Sequence, residues 1–222
     1  MITAFDRIVI DVPDLSDARA EYQQLLGTPD DLDILHLGNT DIQLRQSRDA
    51  AKPHINGLNL LDTALEKNAE IALNAGSRDI TLTRSNFRPP GFSAAPTANG
   101  IYAVDHLVLQ SRDADDCIRL FANDLGMRLA LDQDVPEWGG RMLFFRMGKM
   151  TLEVIHNLDE PPQRDFFWGI TYLCHNLDDT LAALDARGIA HSPARSGRKP
   201  GTRVATVKSH CLGLPTLLIG PG

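Results

Sequence analysis

The sequence predicts an α+β protein of four βαβββ modules, paired into two domains with cupped, mixed and antiparallel sheets, the first domain partly eroded. Three internal alignments carry that prediction. AFDRIVIDVPDLSDARAEYQQLLG lies on AVDHLVLQSRDADDCIRLFANDLG at an offset of 99 without gaps. HLGNTDIQL lies on RMGKMTLEV at an offset of 110, and GLNLLDTALEKNAEIALNAG on GITYLCHNLDDTLAALDARG at an offset of 112.

Each element follows from local chemistry. Ile8 to Ile10 and Leu107 to Leu109 are short apolar runs that read as strands. Asp14 and Asp113 stand where a helix needs an N-cap, and Gly27 and Gly126 where a helix ends in the left-handed region. Gly38-Asn39 and Gly148-Lys149 are read as the central residues of tight hairpins, with positive φ at both positions. Further on, the pairs Gly57/Gly169, Leu65/Leu177 and Gly76/Gly188 predict a strand followed by a helix ending at glycine, once in each half. TRVATVK and PTLLIGPG supply two closing strands in the fourth module. In the second module ITLTRSNF runs into RPPGFSAAPTANG, a Pro/Gly/Ala/Ser stretch that reads as a loop in place of the closing strand. The boundary is therefore set near residues 92–99, giving domains 1–96 and 100–222.

Composition limits the function classes. Of 222 residues 43% are hydrophobic and 23% charged, which is a folded rather than a disordered composition. A net charge of −7 offers no basic face for nucleic acid. Cys117, Cys174 and Cys211 are too few and too scattered for a disulfide framework or a CxxC zinc site, and read as buried small hydrophobes. The opening MITAFDRIVIDV carries Asp6, Arg7 and Asp11 in place of an apolar signal core, and the apolar runs are strand-sized. A cytoplasmic monomer or homodimer acting on a small molecule, away from membranes, is expected.

Four βαβββ modules, with VDHLVL, DAD, LFANDLGM and GKMTLEV in the third, resemble the vicinal oxygen chelate superfamily. That superfamily includes glyoxalase I, methylmalonyl-CoA epimerase, extradiol ring-cleaving dioxygenases, fosfomycin-modifying enzymes and metal-free bleomycin-binding proteins. The resemblance implies a cupped sheet around a ligand, with a divalent metal (Fe, Mn, Zn or Ni) held by a first-strand His and a last-strand Glu. Imidazole and carboxylate suit such ions, and open positions accept adjacent substrate oxygens. In the third module these positions are His106 and Glu153; in the first they are Arg7 and Gln43. Arginine keeps its proton and cannot ligate a metal. In the second and fourth modules the first-strand position is Gly57 and Gly169, and the fourth-module carboxylate position falls among Leu217, Leu218 and Ile219. His106 and Glu153 are thus the expected metal ligands, with His175 on the same strand face as Gly169 and His210 on a nearby turn as further donors.

The same residues admit a second reading. The hairpin pairs Phe144 with Glu153 and Arg146 with Thr151, so Arg146 is placed to neutralise Glu153 and remove the need for a cation. Gln110, four residues after His106, faces the same side. Phe144, Trp168 and Tyr172 are candidate pocket walls, and Trp138 in QDVPEWGG a candidate lid. Substrate contacts are accordingly assigned to Gln110, Phe144, Arg146 and Tyr172. The cluster Arg195, Arg198, Lys199 and Arg203 is either an anion-capturing loop or a solvated one. Two functions follow from the resemblance. One is a metal-dependent ring-cleaving dioxygenase or lyase/isomerase acting on adjacent oxygens, with Glu153 shuttling the proton. The other is a metal-free binding and sequestration protein like the bleomycin-binding members.

Overall fold

The computed structural model describes residues 1–28, 33–87 and 97–222. Most of the predicted loop at 88–100, and with it much of the boundary placed at 92–99, lies outside the described residues.

Strand β1 (Ile2–Val12) leads to helix α1 (Leu15–Leu26), β2 (Ile34–His36) and β3 (Asp41–Gln46). With β4 (His54–Asp62), β5 (Glu70–Leu73) and β6 (Thr81–Ser85) these strands form a six-stranded sheet, ordered β2-β3-β1-β4-β6-β5. β7 (Ile101–Gln110) begins a second sheet. Helix α2 (Ala114–Cys117) continues as a π-helix over Ile118–Asp124, followed by β8 (Arg128–Val135), β9 (Gly140–Met147) and β10 (Met150–Asn157). β11 (Phe166–Cys174), α3 (Leu177–Asp185), β12 (Arg195–Ser196), β13 (Thr202–Val207) and β14 (Thr216–Pro221) complete eight strands, ordered β12-β13-β14-β11-β7-β10-β9-β8.

One pairing rule repeats four times. The last strand of each module runs parallel beside its first: β3 with β1, β6 with β4, β10 with β7 and β14 with β11. The two first strands of each sheet run antiparallel, β1 with β4 and β7 with β11. The helix ends are as expected. Asp14 and Asp113 each accept from the backbone N–H three residues on at 3.0 Å, and Gly27 and Gly126 have φ of 66° and 71°. In α1 the buried residues Ala18, Tyr22, Leu25 and Leu26 follow helical spacing and face the core.

Two expectations are corrected. The second module has a closing strand, β6, and lacks its helix. Asn68 takes φ 64° and its N–H donates to Asn86 O, which breaks the helical run, and Glu70–Leu73 pairs with β6 as an edge strand. Its Ile71 is 46% exposed, so this stretch has no stripe to bury as a helix would need. The hairpins also differ from expectation. Gly148 has φ 60°, but Lys149, Gly38 and Asn39 do not have positive φ. The turn at Gly148-Lys149 thus fits a pattern with one positive φ. At Gly38 the reason for glycine is close approach, since a Cβ there would lie 2.9 Å from Tyr102 O.

That approach joins the sheets. Gly38 N–H donates to Tyr102 O at 2.7 Å. The Asn39 side chain spans Val104, accepting from its N–H at 2.9 Å and donating to its carbonyl at 2.6 Å. Reciprocally, the turn at Gly148 rests on Ala4, where a Cβ would lie 3.2 Å from the Ala4 Cβ. Arg78 ties the six-stranded sheet to Asp116 and Asp165 beside the other. One continuous apolar core, including Tyr22, Leu58, Phe121, Phe145, Tyr172 and Leu218, runs through both sheets. Among the described residues no helix is long and apolar enough to cross a membrane.

Candidate functional site

The register of the eight-stranded sheet decides what shares a face. Glu153 pairs with Val108 on one side and Phe144 on the other, and Thr151 pairs with His106 and Arg146. On β11, Thr171 pairs with His106 and with Leu217, and Leu217 pairs with Thr206. These residues line the face opposite the helices. Their centre is a cleft of about 300 Å³ bounded by His106, Glu153, Thr171, Trp168, Leu217 and Arg195, among others. That volume is at the small end for a small-molecule pocket.

At the floor His106 and Glu153 meet. His106 Nε2 lies 3.1 Å from Glu153 Oε2 and 2.8 Å from Thr171 Oγ1, while Nδ1 lies 2.8 Å from Asp105 Oδ2. Adjacent strand residues normally point to opposite faces. Asp105 reaches its neighbour because it is a bulge: Thr171 pairs with His106 and Tyr172 with Val104, leaving Asp105 without a partner on β11. The two carboxyls are driven apart. The His106 hydrogen bond, against burial, holds Asp105 below its usual range, helped by the charges of His106, Lys199 and Arg146. Burial raises Glu153, against the opposing pull of His106 and Arg198. With Asp105 ionised on Nδ1, one proton can be shared between Nε2 and the Glu153 carboxyl. This is an acid–base arrangement at the bottom of a partly apolar cleft.

The donor set does not fit a metal. Among the described residues no three His, Cys, Asp or Glu side chains form a group that could hold an ion. Catalytic zinc sites hold at least three protein ligands. The positions that would complete the set are Gly169 on β11 and Leu217 on β14, the latter in register with Thr171 as Glu153 is with Val108. A Cβ at 169 would lie 2.5 Å from Pro215 O, so the backbone itself leaves no room for a histidine there.

The remaining expected residues divide. Phe144 and Arg146 lie on the cleft face, and Arg146 is exposed rather than paired with Glu153, whose partner is His106. Gln110 shares the face but lies beyond the cleft, in register with Ile155 and Phe166. Tyr172 is corrected: it is 0% exposed and points into the core on the helix side, because the Asp105 bulge sets Thr171, not Tyr172, opposite His106. His175 falls after the end of β11 and stacks on Tyr102 at 4.1 Å. His210, at φ 57°, contacts Ser209 in a turn and does not line the cleft. Trp138 ends a 3-10 turn between β8 and β9, and its side chain lies outside the described residues. Sequence reasoning missed Asp105 and Thr171, although the offset-99 alignment had already matched Asp6 with Asp105.

The six-stranded sheet keeps the same geometry with different residues. Arg7 Nη1 donates to Gln43 Oε1 at 3.2 Å, where His106 meets Glu153 in the other sheet. Asp6 is again a bulge, between Phe5 and Arg7, and accepts from Ser85. Arg7 also pairs with Glu70 and lies 4.3 Å from the Phe87 ring, which fills the position.

Residues 105–206 match the family described as the Glyoxalase/Bleomycin resistance protein/Dioxygenase superfamily, as the sequence motifs anticipate. The chain is 27% identical over 88 residues to an ethylmalonyl-CoA/methylmalonyl-CoA epimerase of Cereibacter sphaeroides, a match covering 37% of this chain and 66% of that protein. Its whole length superposes on 93% of a triple mutant of 4-hydroxymandelate synthase from Streptomyces coelicolor, with a TM-score of 0.72 and 15% identity. Methylmalonyl-CoA epimerase from Mycobacterium tuberculosis matches 57% of this chain and 92% of its own, with a TM-score of 0.47 and 17% identity. The fold is that of the vicinal oxygen chelate proteins, and the likeness extends across both sheets.

Proposed function

We propose that this chain is a small-molecule enzyme of the vicinal oxygen chelate type that moves a proton through Glu153 and His106 without a protein-held metal. An isomerase or lyase acting beside a carbonyl requires such a step. The observation that carries the reading is the 3.1 Å contact between the buried Glu153 carboxyl and the His106 imidazole at the cleft floor. Glu153 is the group that takes or gives the substrate proton. Asp105 and Thr171 hold the imidazole, and Trp168, Val108 and Leu217 form the apolar part of the cleft wall beside it. We further read residues 1–96 and 100–222 as tandem domains, the first serving as scaffold, in a cytoplasmic monomer or homodimer.

The test is solvent deuterium incorporation in D₂O into a panel of acids with an acidified C–H, including methylmalonyl-CoA, ethylmalonyl-CoA and 2-oxo acids. Exchange into one member should persist in EDTA and disappear in Glu153→Gln. Exchange that requires added Mn, Fe, Ni, Zn or Co, or that survives in Glu153→Gln, would overturn the proposal. Saturable binding of a panel member without any exchange would favour sequestration instead.

A further inference from the structure

Four cations over the cleft have no counterpart in the proton chemistry. Arg195 lines the cleft from edge strand β12, and Arg198 and Lys199 follow in the turn to β13. Arg146 stands on β9, in register with Thr151 beside His106. β9 and β12 are six strand places apart, and a flat sheet would separate them by roughly 29 Å. Yet Arg195 of β12 and Glu153 of β10, themselves five places apart, line one cleft, and the charges of Arg146, Lys199 and Arg198 bear on Asp105 and Glu153 at its floor. The sheet therefore curls so that cations from both ends converge over one floor.

Their lack of partners is selective. Arg203 lies in the same hairpin but on the helix face, and pairs with Asp178 at 2.6 Å. Arg45, Arg78, Arg84 and Arg141 are likewise paired with carboxylates. Among the described residues, none of the four cleft-face cations makes an ion pair within 4.0 Å, in a chain with a net charge of −7. Against them stand Asp105 and Glu153, so two positive charges remain in excess even with both carboxyls ionised.

We propose that Arg146, Arg195, Arg198 and Lys199 form a cationic collar that selects a dianionic substrate, bearing either two carboxylates or a phosphoryl group. The proposal rests on the reading above only in taking this cleft as the substrate site. Cations on two opposed walls fix an anion's orientation as well as its charge, and guanidinium groups suit carboxylate and phosphate oxygens in pairs. The neutral end of the substrate is then left at the apolar wall of Trp168, Val108 and Leu217.

The experiment is an amide and indole NMR titration following Gly169, Thr171 and Trp168, with succinate, inorganic phosphate and uncharged succinamide as probes. One or both dianions should bind at least tenfold more tightly than succinamide at low salt, with the advantage shrinking as salt is raised. Tighter succinate assigns a dicarboxylate, and tighter phosphate a phosphoryl group. Arg195→Gln with Arg198→Gln, on exposed positions that leave folding intact by melting temperature, should weaken the preferred dianion about tenfold. Equal binding of dianions and succinamide, or unchanged binding in the double variant, would overturn the collar. Glu153→Gln should retain dianion binding, so loss of exchange there and loss of binding in the arginine variant separate the two proposals.

Discussion

Replacing Gly169 with alanine tests whether the backbone excludes a ligand at this position. A Cβ there would lie 2.5 Å from Pro215 O and 2.9 Å from Pro215 Cβ. The first contact is about 1 Å inside the roughly 3.5 Å optimum for heavy-atom pairs. The obstacle is also a hydrogen-bonded carbonyl, which accepts from Ile170 N–H at 3.0 Å. Overpacking of this kind costs roughly 1–3 kcal/mol, and disturbing the hydrogen bond about 1 kcal/mol more. Gly169→Ala should therefore destabilise the protein by roughly 2–4 kcal/mol, a fall in Tm of roughly 6–12 °C for a chain of this size. The internal control is its counterpart Gly57, where the nearest contacts to a Cβ are 3.4 Å. Gly57→Ala should stay within about 0.5 kcal/mol of the parent. Urea denaturation of both variants is the assay. Equal effects at the two positions would refute the argument, and with it the claim that a histidine is sterically barred from 169.

Two further outcomes are expected. Burial raises the Glu153 carboxyl, so its stabilising contribution is complete below the unfolded value of about 4.3 and is lost as pH rises through the folded value. The stability of Glu153→Gln relative to the parent should thus increase from about pH 4 to about pH 7; a flat difference in denaturation midpoints would contradict it. Asn39→Ala leaves both backbone groups of the buried Val104 without their side-chain partner, at a cost of about 2 kcal/mol, with faster hydrogen exchange at the Val104 amide. Unchanged exchange there would remove Asn39 from the joint between the sheets.

Much of this architecture was legible because the offset alignments let one half of the sequence be read against the other. Asp14 and Asp113, and Gly27 and Gly126, cap helices as their matched positions required. The offset pairs His106/Arg7 and Glu153/Gln43 do occupy equivalent places in the two sheets. What escaped was set by contacts distant in sequence. The helix expected before Gly76 failed because β6 needed an edge partner, which local propensity cannot report. Tyr172 was misplaced because a single bulge residue, Asp105, exchanges which of two neighbours faces the cleft. Asp105 itself was visible as a repeated residue, but its meaning depends on that bulge. Nor does spacing alone show that Arg195 and Glu153 line one cleft, since this depends on the curl of the sheet.

On the proposed function, the arginine in the six-stranded sheet limits one chain to one ligand. Where Arg7 sits between Gln43, Glu70 and Phe87, the place a guest would take in a second cup is taken by the protein's own side chains. A binding isotherm should give one equivalent per chain with a Hill coefficient of one, and the whole ligand response should report from the half of the sequence that begins at β7.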